Sequence, residues 1–341
     1  MSGHTNAHTT TLGRTGLTTS RVGLGAWGLG NTGSHPVVQV LEEDAVTDLL
    51  RTAFDLGITL LDSAEVYDNE ELLGRVIRSL DNAPQDLLVS TKFGHGKGFS
   101  AAQVRDSVER SLAAFGIEQI PVFMLHDPRG DADLEVIYGP GGALPELRKM
   151  QDEGLVGSVG IATGTLPPLL AAVESDEFDV IQFPRLYTLL NQSAAVSGLL
   201  EQAKAKNIGT ILTSPFAGDI LATGVRGQDA PRYSFWDAQP EVVEAVARIE
   251  DAADAAGLAM PEAAMAFALA EPLIDVVVIG VTSPAELRQD VAMLDRTVDA
   301  ATLERLAAAG AIDQTLVGGP DYVWPFPIER MPADLKAKLG L

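Results

Sequence analysis

Eight short apolar runs alternate with segments of helical period along most of the chain, and this alternation restricts the fold more than any other feature. The runs are Val22–Ala26, Ile58–Asp62, Leu87–Thr91, Val122–His126, Gly157–Ala162, Val180–Phe183, Thr210–Thr213 and Val276–Ile279. Between them the spacing predicts helices over Asp44–Leu56, Glu70–Leu80, Ala101–Phe115, Leu144–Glu153, Leu166–Val173, Ala194–Lys206, Pro261–Leu269 and Pro284–Leu294. In the first of these, Val46, Leu49, Leu50 and Ala53 fall on one helical face. Parallel strands must be joined by crossover helices, so strand and helix in strict alternation read as βαβ units. Eight such units close into a ring more readily than they fill an open sheet. The predicted fold is therefore α/β, a single-domain (β/α)8 TIM barrel.

A chain of 341 residues fits one barrel with enlarged loops. Residues 1–10 read as a disordered tail after a polar start, and residues 11–341 as the barrel with a C-terminal loop, entered by a hairpin-like lead around Thr11–Val22. Two further stretches rich in Gly, Pro and Asp, Pro128–Pro140 and Gly218–Ala238, read as long loops, as does Gly318–Pro327 with Tyr322, Trp324 and Phe326. Long loops in a compact domain are usually functional, and on a barrel the βα loops build the site.

Charge narrows the partners. With 47 acidic against 24 basic side chains and a formal charge of -23, the surface repels phosphate backbones and anionic lipid. Nucleic acid and membrane are therefore not expected, and a small-molecule substrate is. The absence of cysteine excludes disulfides, thiolate catalysis and thiolate metal sites, and no metal site is predicted; a cytoplasmic location fits. No apolar run reaches the length of a membrane span, and the N-terminus lacks the pattern of a secretion signal.

Gly23-Leu-Gly25-Ala-Trp-Gly28 satisfies the glycine spacing of a Rossmann phosphate loop. That loop must open directly into a helix whose N-terminus holds the pyrophosphate. Here the glycines run into more loop, and the helix starts only near Asp44. The Rossmann reading fails on that context.

Four ionisable residues stand at the C-terminal ends of three consecutive strand candidates. Asp62 closes Ile-Thr-Leu-Leu-Asp, Tyr67 follows in the loop, Lys92 follows Leu-Leu-Val-Ser-Thr, and His126 closes Val-Phe-Met-Leu-His. Each alone has an ordinary explanation: Asp62 as a cap completed by Glu65, Tyr67 as packing, Lys92 as a solvated amine, His126 as a core histidine. Together they match the needs of hydride transfer to a carbonyl. A proton must reach the developing alkoxide or leave the alcohol, and a tyrosine can carry it. Its ordinary pKa of about 10 is high for base work, so an adjacent ammonium, Lys92, is expected to favour the phenolate. Asp62 would hold Lys92 charged, and His126 would orient the substrate oxygen.

This order of Asp, Tyr, Lys and His on these strand ends resembles the aldo-keto reductases. The opening Leu12-Gly-Arg-Thr-Gly-Leu17, Gly23-Leu-Gly25, Val159-Gly-Ile161, Gln182, Arg185-Leu-Tyr-Thr-Leu-Leu-Asn-Gln192, Ser214-Pro-Phe-Ala-Gly218 and Ser283-Pro-Ala-Glu-Leu-Arg-Gln289 extend the resemblance over nearly the whole chain. His126-Asp-Pro and the segment from Arg185 are most similar to the D-threo-aldose 1-dehydrogenase group, with its L-fucose, L-galactose and pyridoxal 4-dehydrogenases.

The resemblance implies an oxidoreductase that binds an extended nicotinamide dinucleotide across the barrel mouth. By matched position the cofactor residues are Gly25, Ala26, Trp27, Asp62, Ala162, Thr163, Gln182, Thr213, Ser214, Pro215, Phe216, Gly218, Ile279, Gly280, Val281, Thr282, Glu286, Gln289 and Asp290. Gln182 would bond the nicotinamide carboxamide. Ala162 and Thr163 replace the usual Ser-Asn pair, and Thr213 stands where an aromatic ring often stacks, a task Phe216 could take over. Glu286 sits where members that hold the 2′-phosphate of NADP often carry Arg, so NAD is expected over NADP, with Arg288 the one nearby cation able to oppose this. The implied substrate walls are Trp27, Tyr67, Phe93, His126, Asp127, Arg185, Tyr187, Phe235 and Trp236, polar groups beside aromatics that suit an aldose or pyridoxal oxidised to its lactone. Two other readings stay open: a broad NADPH-dependent aldehyde or ketone reductase, and a non-catalytic cofactor-binding redox sensor.

Overall fold

The structure, a computed structural model, describes residues 9–30, 41–234 and 236–317. Phe235, most of the N-terminal segment and the aromatic stretch Gly318–Pro327 lie outside the described residues. Two short strands open the chain, β1 (Thr9–Thr11) and β2 (Thr18–Ser20), paired antiparallel. Then β3 (Val22–Gly25), β4 (Leu60–Asp62), β5 (Leu88–Gly94), β6 (Ile120–His126), β7 (Val156–Ala162), β8 (Val180–Pro184) and β9 (Gly209–Thr213) follow in parallel. A small hairpin, β10 (Arg232–Tyr233) with β11 (Trp236–Asp237), precedes β12 (Val276–Ile279). β12 pairs with both β9 and β3, which closes an eight-stranded parallel barrel in the order expected for a (β/α)8 fold.

Helices pack around the ring: α1 (Glu43–Asp55), α2 (Glu70–Ser79), α3 (Ala101–Phe115), α4 (Asp131–Tyr138), α5 (Ala143–Asp152), α6 (Leu166–Ser175), α7 (Ser193–Val196), α8 (Leu199–Ala205), α9 (Ile220–Thr223), α10 (Pro240–Ala255), α11 (Met260–Ala270), α12 (Pro284–Ala292) and α13 (Ala300–Ala309). No described helix is long and apolar enough to cross a membrane. Four differences from the sequence expectation matter. The helix expected over Ala194–Lys206 is two helices, because Gly198 adopts a left-handed conformation with φ 77. The expected loop after β6 contains α4, and that after β9 contains α9 and the β10–β11 hairpin. α10 and α13 fall outside the eight helices that the spacing predicts. Lys92 lies inside β5, which runs on to Gly94, and not after its end.

Strand alternation sorts the core into two shells. Leu60, Leu88, Val122, Met124, Ala162, Val180, Ile211, Val276 and Val278 fill the barrel interior, and Leu12 from the hairpin turn joins them, fully buried. The residues between them on the same strands, such as Leu61, Val89, Phe123, Ile181 and Val277, pack outward against the helices. Toward the strands' C-terminal ends the apolar filling gives way to polar side chains such as Asp62, Lys92 and Gln182.

Candidate active site

Period-two alternation on β4 and β5 puts Asp62, Ser90 and Lys92 on the inner face, and strand pairing sets Asp62 directly opposite Ser90. Lys92 is 2% exposed and its Nζ donates to Asp62 Oδ2 at 2.8 Å and to the Ser63 carbonyl at 2.5 Å. Ser90 Oγ donates to Asp62 Oδ1 at 2.7 Å, so both carboxylate oxygens are bonded. A buried ion pair holds only when its remaining lone pairs and protons find such partners. Behind it, Ser63 donates to Asn69 Oδ1 at 3.0 Å, while Asn69 Nδ2 donates to the carbonyls of Ala26 at 2.7 Å and Leu29 at 2.9 Å. This link ties the β3 loop carrying Trp27 to the loop carrying Tyr67. Neither Ser63 nor Asn69 stood out in the sequence, since each is an ordinary loop residue until its partners are known.

Tyr67 ends a single 3-10 turn, Glu65–Tyr67, that stops at Asp68 in a left-handed conformation. Glu65 does not cap with Asp62. Burial opposes its ionisation, but Ser107 and Arg110 of α3, with Lys97 of the loop before that helix, outweigh this and hold its carboxyl below the usual range. Lys92 Nζ stands 5.5 Å from the centroid of the Tyr67 ring, which meets His126 edge-on with centroids 6.2 Å apart. Burial, then the charges of Asp62 and Asp127, push the Tyr67 phenol well above its ordinary value. The expected pull of the Lys92 ammonium on the phenolate is offset by its pairing with the Asp62 carboxylate, so burial and the carboxylates prevail at the phenol. Tyr67 at rest is a proton donor.

His126, at the end of β6, is pushed down to about 4, chiefly by burial, so it is a neutral imidazole near pH 7. Its Nδ1 is buried with no hydrogen-bond partner among the described residues, and its Nε2 lies 4.0 Å from Asp127 Oδ2. Asp127 in turn contacts His95 Nδ1 at 2.7 Å, and the His95 and His126 rings are 5.3 Å apart. His95 (φ 30) and Asp127 (φ 53) both occupy the left-handed region, an unfavourable geometry for side-chain-bearing residues. It is held by His95 N–H donating to the His126 carbonyl and Asp127 N–H donating to the Ala162 carbonyl, each at 2.7 Å. Burial opposes ionisation of Asp127, but His95, His126 and Arg185 keep its carboxyl below its usual range. His95 escaped sequence reasoning because it follows the strand in a glycine-rich turn.

Around the rim, strand pairing sets His126 beside Ala162, Ala162 beside Gln182, and Pro184 beside Thr213. Gln182 is buried and its Nε2 has no partner among the described residues. A buried amide N–H left unsatisfied is costly, and a carboxamide oxygen from a nicotinamide would satisfy it. Thr163 turns its hydroxyl away, donating to the Pro128 carbonyl at 3.2 Å and accepting from Thr165 N–H at 3.1 Å. After β9, Ser214, Ala217, Gly218 and Asp219 all have positive φ, flanking Pro215 and Phe216, which are buried. Such turns aim backbone N–H groups into concavities that suit an anion. These features fit a dinucleotide.

Farther out, Ser283 Oγ caps α12 by accepting from Glu286 N–H at 3.2 Å, and Glu286 Oε2 accepts from Thr282 N–H at 2.8 Å and Thr282 Oγ1 at 3.0 Å. Arg288 points away, toward the Pro284 carbonyl at 3.3 Å and Thr52 Oγ1 at 3.5 Å. Burial and then Glu286 raise Asp219, and the same two causes push Asp290 up to about 6. Gly280 and Gln289 are exposed, whereas Ile279 and Val281 belong to the outer core.

Not all predicted substrate walls gather at the mouth. Phe93 follows inward-facing Lys92 and so faces the helices, in the outer core. Tyr187 is also in that shell, stacked on Phe267 with centroids 4.9 Å apart. Trp236 is buried in the β10–β11 hairpin. Trp27, Asp127 and Arg185 are each half-buried; Asp127 lies beside His126, and Arg185 is near enough to Asp127 to help hold its carboxyl down.

The comparisons with known proteins agree with this geometry. The chain is 30% identical over 290 residues to L-galactose dehydrogenase of Arabidopsis thaliana, covering 82% of this chain and 86% of that protein. It is 29% identical over 330 residues to D-threo-aldose 1-dehydrogenase of a Pseudomonas species, covering 87% and 96%. Pyridoxal 4-dehydrogenase of Microbacterium luteolum is 26% identical over 331 residues, covering 84% and 93%. Among solved structures, an aldo-keto reductase chain from Pseudomonas aeruginosa superposes with a TM-score of 0.63 at 26% identity, covering 85% of this chain and 96% of that one. The pattern of the aldo/keto reductase family matches residues 21–311, and the chain belongs to that family of oxidoreductases.

Proposed function

We propose that this protein is an NAD-linked dehydrogenase that oxidises the ring form of an aldose, of the L-fucose, L-galactose or D-arabinose type, or of pyridoxal, to the lactone. The observation that carries the reading is the closed, fully bonded Asp62–Lys92 pair beneath Tyr67 and His126, with the polar side chains of Asp127 and Arg185 beside it. A nicotinamide bound at the mouth supplies the hydride acceptor. Gln182 would hold its carboxamide, the positive-φ loop from Ser214 to Asp219 its phosphates, and Glu286 a ribose hydroxyl. An acidic adenosine end, with Arg288 turned away, supports NAD over NADP.

In oxidation the hydroxyl proton passes to the Tyr67 oxygen as the hydride leaves the adjacent carbon, so the carbonyl forms with charge balanced. Because Tyr67 is raised, the base form is scarce near neutrality and oxidation should speed up toward alkaline pH. His126, neutral and aimed by its strand, donates a hydrogen bond to the reacting oxygen. The same raised tyrosine favours the second reading, a carbonyl reductase that uses Tyr67 as acid. Turnover with NAD plus L-fucose or pyridoxal, compared with NADPH plus simple aldehydes, separates the two. Faster NADPH-linked reduction would overturn the proposal. As a small-molecule enzyme of this class it would act in the cytoplasm.

A further inference from the structure

His95 has no part in the chemistry above, yet it completes a set of three metal-type donors. One donor atom from each of His95, His126 and Asp127 lies within 4.8 Å of the other two. Two of the separations are 2.7 Å and 4.0 Å. A tetrahedral zinc site, with ligands at about 2.0–2.2 Å, places its donors about 3.3–3.6 Å apart. The closer pair must open and the wider one close by several tenths of an ångström. The His95 side chain, 41% exposed, has room to do this. We propose that His95, His126 and Asp127 form an inhibitory site for a borderline divalent cation of the zinc type, whose occupation takes His126 Nε2 from the substrate.

The donor set decides the class of cation. Two imidazoles and one carboxylate suit zinc, cobalt or nickel, whereas magnesium and calcium prefer oxygen ligands throughout. The backbone presents the donors without a metal, since the left-handed conformations of His95 and Asp127 are fixed by hydrogen bonds to the His126 and Ala162 carbonyls. A formal charge of -23 adds a general attraction for cations. One feature limits affinity. When Nε2 of His126 binds a metal its proton sits on Nδ1, and that buried atom has no acceptor among the described residues. A missing partner behind a metal-binding histidine typically costs about 10–100-fold in affinity. The site therefore binds reversibly and does not hold a resident metal.

The inhibitory part rests on His126 orienting the substrate, as proposed above, while cation binding itself can be measured without turnover. The test titrates the full-length protein with Co²⁺, followed by its visible absorption, and with Zn²⁺ by calorimetry. His95→Gln, which keeps a donor toward Asp127, is compared with the unmodified chain. The expected result is a single, reversibly bound equivalent, weakened about tenfold or more in His95→Gln, whose metal-free kcat/KM stays within about twofold. Zn²⁺ should compete with the carbonyl or lactol substrate and not with the dinucleotide. Equal binding by His95→Gln, which would place the cation on the acidic surface, or no binding at all, overturns the site. Binding that depends on His95 but leaves substrate kinetics untouched overturns the inhibition and also counts against the role given to His126.

Discussion

Removing both partners of the Asp62–Lys92 pair should cost far less than the sum of breaking it from either side. At 2.8 Å the pair gains about 6 kcal/mol of attraction if the effective dielectric constant is about 20, and each ion loses several kcal/mol of hydration on burial. The two terms nearly cancel, so the intact pair adds little net stability. Lys92→Met leaves the Asp62 carboxylate with Ser90 alone, and Asp62→Leu leaves the ammonium with the Ser63 carbonyl alone. Each single change should destabilise by about 3–5 kcal/mol. The double variant removes both charges and orphans only the Ser90 hydroxyl and the Ser63 carbonyl, at about 1–3 kcal/mol each before relaxation. Its total should be about 2–4 kcal/mol, against a sum of about 6–10 for the singles. Urea unfolding of the four proteins, with matched m-values, gives the coupling directly. Additive effects, or single losses below about 1 kcal/mol, would show that the pair is solvated and would refute the reasoning.

Other positions give sharper local tests. Glu286→Gln removes a negative charge from the adenosine end and should improve kcat/KM with NADP about tenfold relative to NAD; an unchanged ratio places the discriminating group elsewhere. Asp290 is an acid raised to about 6, so the folded state holds its proton more tightly than the unfolded chain and stability falls as pH rises from about 4 to about 6. Asp290→Asn should therefore unfold at higher temperature than the unmodified chain at pH 8, by on the order of 1–2 kcal/mol, with the gap closing toward about pH 4. A pH-independent difference would contradict this. Gly218 has φ 70, and a Cβ there would meet the Ser234 Cα at 2.4 Å, so Gly218→Ala should push the β9 loop off the β10–β11 hairpin. Dinucleotide Kd should rise about tenfold or more while the melting temperature changes little, as measured by fluorescence titration.

The barrel was legible because each strand is a compact apolar run and each covering helix carries one apolar stripe. α10 shares the β9–β12 connection with α11 and α13 follows the last strand–helix unit, so neither has a place in a strict alternation of one helix per strand. α4 was hidden by the Gly and Pro residues that bracket it. The four ionisable residues could be found because strand ends are fixed points on a barrel. The outward position of Phe93 follows from alternation alone: an inward Lys92 forces the next side chain outward. What the sequence could not carry were the left-handed turns at His95 and Asp127, and the balance of burial and charge at Tyr67. Both depend on distances between segments remote in the chain.

If Tyr67 moves the proton in an NAD-linked oxidation, the Tyr67→Phe variant tests this most directly. NADH formation from L-fucose and pyridoxal should rise with pH in the unmodified protein and fall by about 10³-fold or more in the variant, with NAD Kd unchanged. Turnover that survives the loss of the hydroxyl, or an unmodified protein that binds NAD and oxidises neither substrate, would contradict it.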